Sequence, residues 1–169
     1  MAEQYRIPKQ RVPAKVAFRG GHEEEMSFFV GEHAANRIGS ERLSDLIQST
    51  NAFIVAENGR SQIEIIQTGS IETVIVESRF EEYEGGDGIS ELPGHEKTQV
   101  SLTVILENGV SIDCEAHYYM PESRQRLQDF LNDADPFVRL NRKDNVILIN
   151  KDRISRVIEH PPAEAETRS

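Results

Sequence analysis

Tryptophan is absent from this chain, cysteine occurs once, and aromatic residues make up only 7% of its 169 positions. A single cysteine excludes an internal disulfide framework and any metal site built from several thiolates. No apolar run approaches the ~20 residues that cross a bilayer, so no membrane partner is expected. The opening MAEQYRIPKQRVPAK lacks the apolar core of a secretory signal, and the expected location is therefore cytoplasmic. Signatures of enzymes are missing too: no P-loop, no GxGxxG, no Ser-His-Asp order with its supporting motifs, no paired carboxylates in an apolar setting. GGDG at 85–88 has neither a strand before it nor a helix after it, as a phosphate-cradling loop requires. The expectation is a protein that is not an enzyme and that carries no cofactor and no metal.

Positive charge is also scarce. Lys and Arg number 19 against 29 Asp and Glu, a net charge of −10 that disfavours a general nucleic-acid binder. The charge is unevenly spread. Arg6, Lys9, Arg11, Lys15 and Arg19 face only Glu3 in the first 19 residues, whereas 57–91 holds nine acids against Arg60 and Arg79. Residues 124–156 turn basic again. Such alternation is the ordinary pattern of solvated faces.

What is present is a duplication. Setting Val16 against Val100 and Arg42 against Arg126 gives one offset of 84 residues. At that offset VAF (16–18) meets VSL (100–102), MSFFV (26–30) meets VSIDC (110–114), and RLSDLIQ (42–48) meets RLQDFLN (126–132). After a one-residue slip, IIQTGSIETV (65–74) meets LINKDRISRV (148–157). The parsing is an N-terminal extension 1–13, unit 1 at 14–79, an acidic Gly-rich linker 80–97, unit 2 at 98–159 and a disordered tail 160–169.

Within each unit the periodicity switches. Val100, Leu102 and Val104 alternate with polar residues, Asn108-Gly109 marks a hairpin turn with positive φ, and Val110, Ile112 and Cys114 alternate again. Unit 1 has GGHEEE there, a longer or bulged turn. Leu43, Leu46 and Ile47, like Leu127, Phe130 and Leu131, follow i, i+3, i+4, predicting an inserted helix of about ten residues in each unit, with Ser40 as N-cap and Pro121 in the first turn. Three more strands follow. The fold class is mostly β with short helices (α+β), in the order β-β-α-β-β-β twice.

The quoted motifs resemble the Sm/Lsm proteins and bacterial Hfq, small and strongly bent five-stranded barrels. The points of likeness are Asn108-Gly109-Val110, DPFVRL at 135–140 and INKDRISRV at 149–157, echoed by FIV at 53–55 and IQTGSIETV at 66–74. The resemblance implies two tandem Sm-like or SH3-like small barrels, expected to pack as a pseudo-twofold pair. Where that family bends its second strand at glycine, this sequence has Val30 and Cys114. Where Hfq has the Lys-His that contributes to uridine binding, it has Lys151-Asp152. RLSDLIQSTNAFIVAE and RLQDFLNDADPFVRLN also resemble a bacterial domain family of uncharacterised function with an R-L-x-D-x-L-N helix motif. That second likeness implies a bacterial source and no particular chemistry.

Candidate sites follow from charge and spacing. Arg42 with Asp45, and Arg126 with Asp129, sit at i, i+3 on one helical face, either as intrahelical ion pairs worth ~0.2–0.5 kcal/mol, or with the Asp turned inward to receive backbone donors of the next loop, or as a partner-binding pair displayed twice. A basic face on unit 2 would gather Arg139, Arg142, Lys143, Lys151, Arg153 and Arg156, with Tyr118, Tyr119 and Phe137 as stacking surfaces. His22-Glu23-Glu24-Glu25 with Glu32 and His33 has metal-ligand residue types, but a run of glutamates splays into water. Cys114, in register with Val110 and Ile112, is expected inside as a small hydrophobe. The expected function is a non-catalytic interaction or adaptor module that binds a protein partner through a strand edge or the inter-unit groove. The alternative is Sm-like binding of RNA or single-stranded nucleic acid through unit 2. Self-association into a homo-oligomer is compatible with either.

Overall fold

A computed structural model of the chain describes residues 9–31, 41–49, 51–81, 95–121 and 126–161. The chain divides into two compact units, Met1–Gly86 and Asp87–Ser169. Unit 1 runs β1 (Lys9–Phe18), β2 (Glu23–Gly31), α1 (Leu43–Ile47), β3 (Phe53–Asn58), β4 (Ile63–Gln67), a 3-10 turn (Thr68–Ser70), β5 (Ile71–Glu77) and a second 3-10 turn (Ser78–Phe80). Unit 2 runs β6 (His95–Leu106), β7 (Ser111–Pro121), α2 (Leu127–Asp133), β8 (Phe137–Arg142), β9 (Asn145–Asn150), a 3-10 turn (Lys151–Arg153) and β10 (Ile154–Glu159). Among the described residues the chain is thus mostly β with two short helices. Residues 9–13, assigned to an extension by sequence, belong to β1, and 95–97, assigned to the linker, belong to β6.

The strands of each unit pair antiparallel and share one permutation: β5-β1-β2-β3-β4 in unit 1 and β10-β6-β7-β8-β9 in unit 2. The permutation has a geometric consequence. Gln67 ends β4 and Ile71 begins β5, so three residues join the two ends of a five-strand order. Five flat strands would separate those ends by ~19 Å, whereas four virtual bonds reach ~15 Å at most. Each sheet is therefore strongly curled, and Asn150 to Ile154 imposes the same constraint on unit 2. Curling does not close a ladder: among the described residues β4 pairs with β3 and not with β5. Of the sequence reading of two tandem small barrels, the strand order carries at this level the mostly β antiparallel architecture and the curled five-strand run of each unit, without a closed ladder among the described residues.

Backbone hydrogen bonds correct the internal alignment. Phe18 N donates to His22 O and Gly21 N to Phe18 O; Leu106 N donates to Val110 O and Gly109 N to Leu106 O. These two turns superimpose at an offset of 88, not 84. Arg19 N to Ser70 O matches Glu107 N to Arg153 O, and Val16 opposite Val74 matches Val104 opposite Val157. The first two strands of each unit are therefore equivalent at 88, so that Met26, Phe28 and Val30 correspond to Cys114, Ala116 and Tyr118, all buried. The helices and third strands keep the offset of 84, because the connection from Val30 to Leu43 is four residues longer than that from Tyr118 to Leu127. The later one-residue slip lies in the next hairpin. There Asn58 faces Gln62 across three residues, while Arg142 faces Asn145 across two, Lys143 and Asp144.

The turn itself also departs from expectation. Gly109 has φ 88 and Gly21 has φ 92, but Asn108 is not in the left-handed region; its Oδ1 instead accepts from Val110 N at 3.0 Å. Unit 2 uses one left-handed glycine there rather than two positive-φ residues, whereas unit 1 places two in succession, Gly20 at φ 99 and Gly21 at φ 92. In unit 1 the glutamates 23–25 lie in β2, not in a longer turn. The helices are shorter than ten residues, five in α1 and seven in α2. Arg42 and Arg126 occupy the N-cap positions, Ser40 falls outside the described residues, and Pro121 ends β7, a strand terminus where its missing N–H costs little.

Candidate functional site

The Arg-Asp pairs hold the helix starts together. Asp45 Oδ2 accepts from the backbone N–H of Arg42 at 2.8 Å, while the Arg42 guanidinium contacts both carboxylate oxygens at 3.3 and 3.4 Å. An arginine side chain has no acceptor, so it caps no amide itself; the carboxylate three residues on caps the arginine's own N–H. Asp129 receives Arg126 Nε and Nη2 at 3.1 and 3.2 Å, and these bonds push the guanidinium above its ordinary pKa. The copies differ in access. The Arg42 side chain is 11% exposed and the Arg126 side chain 75%.

Two structural roles went unread in the sequence. Glu81, assigned to the linker, is buried, and its Oε2 accepts from Ser44 N at 3.1 Å in the first turn of α1. Lys151, a nucleic-acid candidate, donates through Nζ to the carbonyls of Asn132 and Ala134 at 3.1 and 3.2 Å, closing the C-terminal end of α2. Another candidate, Arg153, pairs with Glu107 at 3.0 Å. Arg139 is half-buried on β8 opposite Leu148, and Arg156 is exposed on β10. Arg142 and Lys143 stand together at the β8–β9 turn, where Lys143 adopts φ 52.

Those two residues line a shallow cleft of about 400 Å³ in unit 2, with Ser101, Leu102, Asp113, Cys114, Glu115, Asn141 and His160. His160, read as part of the tail, is anchored. Its N–H donates to Ser101 O at 2.9 Å, and its Nε2 lies 2.7 Å from Thr103 Oγ1, itself 2.6 Å from Asp113 Oδ1. Burial, and then the Asp113 carboxylate, push the Cys114 thiol up to about 12, so it is no nucleophile at neutral pH. His22 pairs with Glu24 at 3.2 Å and His117 with Glu115 at 3.0 Å. Tyr118 is buried and stacked on Phe130 of α2, with centroids 4.7 Å apart, which removes it from the candidate stacking surface.

Among the described residues, the most exposed apolar surface lies elsewhere, on the outer face of the β3–β4 hairpin. Phe53 (59% exposed), Val55 (44%), Ile63 (59%) and Ile65 (72%) share that face, with Val55 directly opposite Ile65. At the equivalent positions of unit 2, Phe137, Val146 and Leu148 are buried. The sequence held a signal for this: IEIIQ places isoleucine on both parities of one strand, and a curled sheet can turn only one of them inward. Backbone groups add to the face. Asn58 N donates to Gln62 O and Thr68 N to Ala52 O, so the even-numbered residues of β4 bond to β3. The N–H and C=O of Ile63, Ile65 and Gln67 consequently point away from β3.

No protein-family model, curated protein or solved structure matches this chain.

Proposed function

We propose that the chain is a non-catalytic interaction module that docks an extended segment of a protein partner as an added strand on β4. The observation that supports this reading is the coincidence on one strand of outward backbone groups at Ile63, Ile65 and Gln67 with the exposed apolar face of Phe53, Val55, Ile63 and Ile65. Added strands gain affinity from main-chain hydrogen bonds and selectivity from alternate side chains, and this edge offers both. We read the two curled sheets as small barrels of Sm-like or SH3-like type, in which sheet curvature leaves such an edge accessible. Selection of displayed eight- to ten-residue peptides tests the reading. Enriched peptides should alternate apolar residues and lose binding to Ile65→Lys; no enrichment, or binding indifferent to that change, overturns it.

A second reading rests on the unit 2 cleft, where Arg142, Lys143 and His160 converge and a phosphate of single-stranded nucleic acid would find donors. Its test is binding of a short uridine-rich RNA at low salt by the chain and by Arg142→Glu/Lys143→Glu. Unchanged binding in the double variant sinks it.

A further inference from the structure

Building on the strand-addition reading, we propose that the strand received by β4 is β4 of a second copy, paired antiparallel about a two-fold axis at Ile65. Three features of the edge point to this occupant.

The first is phase. A two-fold at Ile65 sets Ile65 opposite its own copy and Ile63 opposite Gln67 of the partner. Those three residues are the ones whose N–H and C=O groups face away from β3. The outward donors and acceptors are therefore symmetric about Ile65, and each finds a partner in the other copy, the Gln67 carbonyl through its second lone pair because it already accepts from Ser70 Oγ at 2.7 Å. An axis one residue to either side would oppose groups already bonded within the hairpin.

The second is charge. The only charged residue of β4 is Glu64, and the two-fold places it opposite Ile66, so no like charges meet across the junction. On the outer face the row Val55–Ile65 continues into Ile65–Val55 of the copy, one apolar stripe across four strands. The third is the absence of protection. β10, at the end of the unit 2 order, carries a register shift between Ile154 and Arg156 and exposed Arg156 and Glu159, features that discourage pairing. β4 has no lysine, no proline and no bulge.

Five-residue strands bury less than the ~800 Å² per partner of a standard stable interface, so the dimer should be reversible and concentration-dependent. Each copy carries −10, and added salt should tighten the pairing by screening that repulsion, the opposite of a phosphate-binding surface.

Light scattering with size exclusion on the full chain tests the proposal. The mass should rise towards twice 19.1 kDa with concentration and with salt. Ile65→Pro removes one outward N–H and leaves the β3–β4 bonds intact, and Ile65→Lys places a charge on the axis; either should leave a 19.1 kDa monomer with an unchanged circular dichroism spectrum. Amide exchange gives a readout independent of the variants: Ile63, Ile65 and Gln67 should gain protection on dimerisation, while Glu64, Ile66 and Thr68 stay protected throughout. A dimer that survives both variants, or one whose formation leaves the three edge amides unprotected, overturns the proposal. A chain that stays monomeric yet binds the selected peptides at β4 overturns the second copy as occupant and leaves the strand-addition reading standing. A monomer that binds none defeats both.

Discussion

The carboxylate of Glu81 accepts a hydrogen bond at 3.1 Å from the amide of Ser44, 37 residues earlier in the chain. It ties the segment following β5 to the first turn of α1, where unpaired amides need acceptors. Glu81→Ala should leave that amide buried and unsatisfied and lower stability by ~1–3 kcal/mol, read as the urea midpoint. Glu81→Gln keeps an acceptor oxygen and should lose less than half as much. Equal losses in the two variants would show that the bond is immaterial.

The corrected internal register makes a prediction that the original alignment does not. Val104, equivalent to Val16, is fully buried, whereas Val100, its counterpart by sequence matching, is half-buried. Val16→Ala and Val104→Ala should each cost about 2 kcal/mol, two methylene equivalents plus a residual cavity. Val100→Ala should cost under 1 kcal/mol. Denaturant midpoints of the three variants decide between the alignments.

Lys151 bears on how basic residues are assigned. Because its ammonium closes the carbonyl end of α2, Lys151→Met should destabilise the chain by ~1 kcal/mol with no nucleic acid present. Charge reversal there is a poor probe of RNA binding, since it perturbs a helix end. Thermal unfolding of Lys151→Met beside Lys143→Met, an exposed neighbour on the cleft, separates the two roles; equal melting temperatures would refute the capping role.

The element order was legible because alternation and helical spacing are local, and the duplication because apolar positions repeat. The four-residue error in the first hairpin preserved strand parity, so inward and outward faces were assigned well even where partners were not. Turn geometry decided the true register, and a left-handed glycine serves Arg19-Gly20-Gly21 as well as Glu107-Asn108-Gly109, two sequences that share little. The candidate charges were less legible. Whether Lys151 faces solvent or the end of α2 depends on the return of the chain after β9, and spacing along the sequence carries no such information. The exposed hairpin face lay in IEIIQ, but only the strand order reveals that β4 ends its sheet.

Cys114 supplies a pH dependence. Its thiol stays protonated in the folded chain up to about 12, against an ordinary value of 9.0. The folded state therefore holds a proton that the unfolded state gives up, and stability is complete below pH ~9 and falls as pH rises from there towards ~12, by at most ~1.4 kcal/mol per pH unit. Lysines and tyrosines titrate in the same range, so the quantity to measure is the difference between the chain and Cys114→Ala in urea midpoint at pH 8 and at pH 10.5. The gap should shift against the native chain at the higher pH. Reactivity gives a second check: at pH 8 the native thiolate population is about 1,000-fold below that of an unperturbed thiol, and alkylation by iodoacetamide should slow accordingly. Alkylation at the rate of a free thiol would place Cys114 in contact with water and remove the pH dependence with it.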